Sequence, residues 1–246
     1  MKIIGIIPAR YASSRFPGKP LIDIAGKSMI QRVYEQVKQT PGLHEVVVAT
    51  DDTRIEEHVR SFAGNVVLTS DTHESGTDRC AEVISKVSGF DIAINIQGDE
   101  PFINPLQIEL LISCFKNEHT QIATLVKEIH TEAELLNVNI PKVVRSVSGE
   151  AIYFSRQTIP FIRNTEQKNW LTSHQFYKHI GIYGYRANIL QELTKLPVSI
   201  LEKAESLEQL RWVENGYRIQ TAVTTHETIA VDTPQDLEHI MQTYFR

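Results

Sequence analysis

Met1-Lys2-Ile3-Ile4-Gly5-Ile6-Ile7-Pro8-Ala9-Arg10-Tyr11-Ala12-Ser13-Ser14-Arg15-Phe16-Pro17-Gly18-Lys19-Pro20 is the stretch on which the fold turns. Residues 3–7 are an unbroken apolar run, the pattern of a strand buried on both faces of a parallel sheet. The loop that follows carries three cations (Arg10, Arg15, Lys19), two hydroxyls (Ser13, Ser14) and Gly18. A cationic loop after a buried strand suits an anion: arginine forks bind phosphate oxygens in pairs, and lysine adds a point charge. Backbone N–H groups near a glycine can add an anion nest. The spacing matches neither a Walker A loop nor a G-x-G-x-x-G turn. The bland alternative is a surface loop with solvated basic residues.

Outward from this stretch, strand and helix patterns alternate. Met29, Ile30, Val33, Tyr34 and Val37 recur at helical spacing, and Pro41-Gly42 ends that helix. Residues 45–50 read as a second strand, and Ile55, Val59 and Phe62 as a helix with Asp52 as N-cap. Residues 66–69 are a third strand. Cys80, Val83, Ile84 and Val87 mark the next helix, residues 91–97 a fourth strand. Asn104 and Pro105 open a further helix as N-cap and N1, with Ile108, Leu111, Ile112 and Phe115 as its buried stripe. Four β-α units predict an α/β, doubly wound, mostly parallel sheet, whose ligands bind beyond the carboxyl ends of the strands.

The second half is less regular. Residues 142–147 and 151–155 flank Ser148-Gly149-Glu150 as a hairpin, and residues 164–175 read as a polar, mobile loop. Residues 178–186 and 218–224 are strand-like. Leu207, Leu210 and Val213 mark a helix closed by Asn215-Gly216, and Thr233-Pro234-Gln235-Asp236 caps the last helix. The expected organisation is a single domain, 1–246, with residues 1–130 and about 215–246 as its core and about 131–214 as a smaller mixed α+β subdomain.

Composition narrows the function class. The 246 residues are 41% hydrophobic and 22% charged, as in ordinary globular proteins. No apolar run approaches the roughly 18 residues of a membrane span, and the N-terminal run is too short for a signal peptide. Cys80 and Cys114 fall on apolar helix faces and read as buried free thiols, which points to the cytoplasm. The net charge of −5 argues against a nucleic-acid surface. Residues 1–40 nevertheless hold seven Lys or Arg against Asp23 and Glu35, a local +5 that leaves −10 for the remainder. A basic cluster on an acidic protein suits a small anionic ligand.

Three other segments can carry chemistry. Gln97-Gly98-Asp99-Glu100-Pro101 follows the fourth strand, where Gly98 allows a tight turn and Asp99 a carboxylate suited to Mg²⁺. Asp232 precedes the last helix and is either a second carboxylate or part of a cap. Ser75-Gly76-Thr77-Asp78-Arg79 opens a helix, either as an ordinary N-cap or as small residues approaching an anion or base. In the second half His179, Tyr183, Tyr185 and Arg186 crowd one strand, and Glu208-Gln209 lies on the next helix. They suit a hydroxyl-rich acid, or simply one buried aromatic face.

Together PARYASSRFPGKPL, VATDD, SGTDR, NIQGDEP, YFSR, HIGIYGYR, SLEQLR and VDTPQDLE closely resemble, in that order, the 3-deoxy-D-manno-octulosonate (Kdo) cytidylyltransferases. The resemblance spans nearly the whole chain. It implies a nucleotidyltransferase fold of Rossmann-like or GT-A-like type and transfer of CMP from CTP to the anomeric hydroxyl of Kdo. The product would feed lipopolysaccharide synthesis. By motif, Arg10, Ser13, Arg15 and Lys19 would hold the triphosphate, and Ser75 and Gly76 the nucleoside. Asp99 and Asp232 would share Mg²⁺, and Asp99 would also face the nucleotide. Arg79, Gln97, Arg156, His179, Tyr183, Glu208 and Gln209 would line the sugar site. The family is typically a homodimer packed through the second half, so the resemblance implies a nucleotidyltransferase domain whose core binds the nucleotide and whose subdomain, about 131–214, binds the sugar and dimerises. Departures from its pattern are Ser28 after Gly26-Lys27, Asp78 for the usual glutamate, and His226-Glu227-Thr228-Ile229-Ala230 for a glycine-containing stretch.

The reaction expected is in-line attack of the sugar oxygen on the α-phosphorus, with Arg15 and Lys19 neutralising the leaving pyrophosphate. Competing readings are a cytidylyltransferase for 8-amino-Kdo or a sialic acid, a metal-dependent glycosyltransferase, and a non-catalytic nucleotide sensor.

Overall fold

The computed structural model describes residues 1–12, 16–227 and 229–245. Their strands, in chain order, are β1 Ile3–Ala9, β2 Asp23–Ile24, β3 Lys27–Ser28, β4 Glu45–Thr50, β5 Val66–Leu68, β6 Ile92–Asn95, β7 Ile122–Glu128, β8 Lys142–Arg145, β9 Ala151–Ser155, β10 Tyr177–Arg186 and β11 Ile219–Val223. The α-helices are α1 Met29–Lys38, α2 Thr53–Ser61, α3 Gly76–Lys86, α4 Pro105–Ser113, α5 Glu132–Leu136, α6 Trp170–Ser173, α7 Ala187–Leu193, α8 Ile200–Glu205, α9 Gln209–Glu214 and α10 Pro234–Tyr244. The chain divides into two compact units.

Unit 1 comprises Met1–Glu109, Tyr185–Thr194 and Glu227–Arg246. Its parallel strands lie in the order β6-β1-β4-β5. The register of β1 runs from Ile4↔Glu45 to Ala9↔Thr50 on one side and from Ile3↔Ile92 to Ile6↔Asn95 on the other. Ile3, Ile4, Ile6 and Ile7 are all buried, which is why the run does not alternate. Burying each such side chain stabilises the fold by about 1.5–3 kcal/mol. The helix α1 buries Met29, Ile30, Val33, Tyr34 and Val37, the stripe its spacing predicts. Its N-cap is Ser28, whose hydroxyl accepts from Gln31 N–H at 3.2 Å and meets His58 Nε2 at 2.6 Å. That departure from the family pattern therefore supplies a cap, typically worth about 1 kcal/mol. Because the strands are parallel, the loops after Ala9, Thr50, Leu68 and Asn95 leave the sheet at one edge.

Unit 2 comprises Leu110–Gly184 and Lys195–His226. Here β11 runs parallel to β7 from Ile219↔Ile122 to Val223↔Val126, and β10 is the neighbour of β7 on its other side. The predicted hairpin is present as antiparallel β8 and β9. The long β7–β11 register groups residues 110–130 and 215–226 with this unit, and Tyr185–Thr194 falls in unit 1. These boundaries depart from the core and subdomain expected from the sequence.

Residues 164–175 are more ordered than their polarity suggests. They contain a 3-10 turn at Gln167–Asn169 and the helix α6. Trp170 packs with Ile129, Leu135 and Phe176, and its Nε1 donates to the Thr165 carbonyl at 3.0 Å. Buried Trp170, with Leu171 packed against the same cluster, anchors a segment whose other residues are hydrophilic. Both cysteines are free; Cys80 is buried, whereas Cys114 lies half-buried in a 3-10 turn. Among the described residues no helix is long and apolar enough to cross a membrane.

Candidate active site

The site grows from the edge of unit 1 where β1 and β6 end. Gly18 has φ of 72°, and its N–H donates to the Tyr11 carbonyl at 2.9 Å, closing the first loop on itself. A 3-10 turn, Lys19–Leu21, then turns the Lys19 side chain into the cleft. After β6, Gly98 passes so close to β1 that a Cβ there would lie 2.7 Å from the Pro8 carbonyl oxygen. Only glycine fits without a backbone shift, and the next residue, Asp99, is thereby aimed at Lys19.

Asp232 reaches the same point from the other end of the chain. The cap of α10 is made by Thr233 and Asp236, not by Asp232. The Asp236 carboxylate accepts from the N–H groups of Asp232 at 3.0 Å and Thr233 at 2.8 Å. Desolvation would raise the Asp236 pKa, but the Thr233 hydroxyl and these N–H groups outweigh it and hold the carboxyl below its ordinary value. The loop is joined to its neighbour by Val231 N–H donating to the Asp99 carbonyl at 2.9 Å. At the far end of α10, Tyr244 stacks on Phe102 with centroids 4.0 Å apart, and the Arg32 guanidinium lies 4.7 Å over Phe245. The helix is thus tied to the 99–102 loop at both ends.

The result is a convergence on one nitrogen. Lys19 Nζ donates to Asp99 Oδ2 at 2.8 Å and to Asp232 Oδ1 at 3.1 Å. Burial alone would lower the ammonium pKa; the two carboxylates outweigh it and raise it above its usual value. The three side chains border a cleft of about 380 Å³ that also exposes Arg10 and Gln97. Arg10 donates through Nη2 to the His73 carbonyl, linking the first loop to the one entering α3. That second loop is held by Glu82, which accepts from Ser70 N–H at 2.8 Å and meets His73.

The structure also sorts the remaining candidates. Ser75 is the N-cap of α3: its hydroxyl accepts from Asp78 N–H at 3.1 Å and donates to Asp78 Oδ2 at 2.8 Å. Asp78, shorter than the usual glutamate, still completes the capping box. Gly76 sits in ordinary contact with Pro8 and Asn95 at the helix start. Arg79 is fully buried, 3.2 Å from Asp51 and bonded to Thr69. Its Nε and Nη2 have no hydrogen-bond partner among the described residues. Ser13 and Arg15, both expected to hold phosphate, lie outside the described residues.

Within unit 2, His179, Tyr183, Glu208 and Gln209 come together. The His179 ring packs edge-on to Phe154 at 5.4 Å and lies 5.1 Å from Tyr183, which meets Trp212 at 5.1 Å. Desolvation pushes the His179 pKa down to about 3, so the ring is neutral at physiological pH. Thr124 Oγ1 lies 2.9 Å from His179 Nε2 and donates to the Ile182 carbonyl at 2.7 Å. Burial, then the nearby Glu208 charge, raises the Tyr183 pKa. Gln209 is 5% exposed, and its Nε2 lacks a hydrogen-bond partner among the described residues.

The Arg156 guanidinium donates to the carbonyls of Glu205 at 2.7 Å, Ser206 at 3.1 Å and Val138 at 3.3 Å. Those bonds fix the turn before α9. Lys142, which the sequence did not single out, is fully buried and donates to the carbonyls of Asn137, Ile140 and Arg156.

A cleft of about 380 Å³ at the carboxyl edge of a parallel sheet, with paired carboxylates and cations on its rim, has the chemistry that nucleotide-binding α/β enzymes need. The family described as Cytidylyltransferase matches residues 4–221. The 3-deoxy-manno-octulosonate cytidylyltransferase of Parabacteroides distasonis is 60% identical over 97% of this chain and 96% of its own length. That of Bacteroides thetaiotaomicron is 57% identical over the same shares. A solved structure of CMP:2-keto-3-deoxy-manno-octonic acid synthetase complexed with CTP superposes with a TM-score of 0.92 at 46% identity, over 98% of both chains. A 4-diphosphocytidyl-2C-methyl-D-erythritol synthase of Anaerococcus prevotii shares the fold at a TM-score of 0.64 and 10% identity, over 100% of this chain and 99% of its own. The chain belongs to the 3-deoxy-manno-octulosonate cytidylyltransferase family.

Proposed function

We propose that this chain transfers CMP from CTP to the anomeric hydroxyl of Kdo, releasing pyrophosphate. The observation that carries the reading is the meeting of Lys19, Asp99 and Asp232 at the carboxyl edge of the sheet. The names of the relatives and the CTP bound to the solved neighbour support the substrates.

The resident metal of this reading is Mg²⁺. The donor set fits: two carboxylates already gather around one cation, and among the described residues no group of three or more His, Cys, Asp or Glu side chains forms a fuller cage. Mg²⁺ is commonly held by one or two carboxylates together with substrate phosphates and waters. When bound it would neutralise charge on the α-phosphate and make the attacking hydroxyl more acidic.

The chain's own residues do the rest. Arg10 and Lys19 bind and orient the triphosphate, joined by Ser13 and Arg15 from the same loop. Gly76 at the start of α3 lets the nucleoside approach backbone. The sugar's carboxylate and hydroxyls require buried donors, and within unit 2 Gln209 Nε2 is one that has no hydrogen-bond partner among the described residues. The sugar oxygen forms a bond to the α-phosphorus as the bond to pyrophosphate breaks, and the hydroxyl proton passes to solvent. Preorganised charge and alignment account for the rate, without a covalent intermediate.

The reaction belongs in the cytoplasm as a supply step for lipopolysaccharide, and a homodimer is the proposed assembly. Val147, Ile152 and Phe161 of unit 2 are exposed and apolar, which supports a partner surface there. The test is pyrophosphate release with Mg²⁺ and Kdo, comparing CTP, UTP, ATP and GTP and omitting the sugar in turn. Release with CTP that needs both Kdo and Mg²⁺ is expected; sugar-independent release, or none, would refute the reading.

A further inference from the structure

We propose that Lys19 is a positioning residue: it holds Asp99 and Asp232 in register as a resident cation, then yields both carboxylates to the divalent ion as triphosphate binds. The inference rests on the reading of those two carboxylates as the metal's ligands.

Two carboxylate oxygens lie within 3.1 Å of one ammonium nitrogen. Like charges this close repel, and the ammonium is what makes the arrangement stable before any metal arrives. The same contact blocks the metal. A divalent ion bound at about 2.0–2.1 Å by these oxygens needs the volume around them for its remaining ligands. It also repels an ammonium held at hydrogen-bond distance from the same atoms. Metal and lysine therefore occupy the carboxylates in turn.

The lysine has somewhere to go. Its side chain is 14% exposed and sits on a flexible four-carbon stem. It borders the cleft beside Arg10, where the triphosphate would lie. A phosphate oxygen can take over the ammonium as the carboxylates turn to the metal. Each exchange then favours the other, so divalent ion and triphosphate bind with positive coupling, reciprocal by thermodynamic necessity. Either ligand alone meets a site still closed by its own ion pair.

The test is direct Mn²⁺ binding, read from the electron paramagnetic resonance of the unbound ion, with full-length protein and no nucleotide. Wild type, Lys19→Gln, Lys19→Met and Arg10→Gln are compared, with circular dichroism to check folding. Loss of the lysine is expected to tighten Mn²⁺ binding by about 10-fold, within the usual range of coupling between sites. Adding Asp232→Asn to Lys19→Gln should abolish the gain. Mn²⁺ alone should raise the melting temperature of Lys19→Gln more than that of wild type. A purely structural ion pair would lower stability without tightening the metal.

Equal or weaker Mn²⁺ binding by both lysine variants would overturn the proposal. So would equal tightening by Arg10→Gln, because the effect would then be diffuse charge. If Asp99→Asn and Asp232→Asn weaken Mn²⁺ binding while the lysine variants do not tighten it, the metal reading stands and the exchange alone fails. If neither aspartate matters, even with CTP present, both fail.

Discussion

Lys19 and Asp99, eighty residues apart in the chain, meet at 2.8 Å across the carboxyl edge of the sheet. The contact places a cation and a carboxylate where the proposed triphosphate and its metal would be held. Replacing the carboxylate by its neutral isostere, Asp99→Asn, should lower kcat at least ~10²-fold, as loss of one preorganised charged group does. The fold should survive, because Asp99 is only part-buried. Steady-state pyrophosphate release and circular dichroism check both halves, and turnover near wild type would remove Asp99 from the site.

Gly98 tests whether placement matters as much as charge. Gly98→Ala puts a methyl group 2.7 Å from the Pro8 carbonyl oxygen, which is backbone and cannot swing aside. Overpacking of this kind costs about 1–3 kcal/mol. A displacement near 1 Å at Asp99 costs on the order of 10²-fold in rate. Denaturant unfolding and turnover, measured together, should both fall; an unchanged rate would mean that the turn does not aim Asp99.

The stack of Tyr244 on Phe102 ties the end of α10 to the loop carrying Asp99. Phe102→Ala should lower stability by about 1 kcal/mol, in keeping with aromatic pairs. It should also raise the Mg²⁺ concentration needed for half-maximal turnover, since Asp232 lies just before the N-cap of the same helix. Tyr244→Phe keeps the stack and should leave both unchanged. Loss of stability alone, with the Mg²⁺ requirement unmoved, would make the stack a fastening without influence on the site.

Acid should destabilise the protein in two overlapping steps. His179 has its pKa depressed to about 3, from about 6.5 unfolded, by desolvation. Below pH 6.5 the unfolded chain binds a proton that the native ring refuses. Its contribution is therefore complete above pH 6.5 and is lost as pH falls toward 3. Glu82 has its pKa lowered to about 2: desolvation raises it, but Lys86, Ser70 and His73 outweigh that. Its contribution is present above about pH 4.5 and is lost toward pH 2. Nuclear magnetic resonance of the His179 ring should show the neutral form at pH 5. An imidazolium at that pH would contradict the buried network.

Much of this was legible in the sequence, for a physical reason. Strands covered on both faces write unbroken apolar runs, so β1 and β4 could be read directly. The caps at Asp52, Ser75 and Thr233 could be read because capping is local. Lys19 and Asp99 were legible as residues following buried parallel strands. The joining of Asp232 to them was implied by the family resemblance alone, because a contact across 213 positions is set by packing and leaves no local pattern.

Burial of charge was the harder reading. Arg79 lies four positions before Val83 on the buried face of α3. That spacing was the available signal. Arg156 and Lys142 bond to backbone carbonyls far along the chain, which composition cannot foretell. Trp170 was hidden by averaging over its polar neighbours, since one large apolar side chain can anchor a hydrophilic loop.

The most direct test of the account follows the phosphorus itself. Purified protein with CTP, Kdo and Mg²⁺ would be monitored by ³¹P nuclear magnetic resonance. The account predicts that the three CTP signals give way to pyrophosphate and one phosphodiester resonance, whose product has the mass of CMP joined to Kdo. CTP left intact, or hydrolysed to CMP and pyrophosphate with no sugar attached, would contradict it.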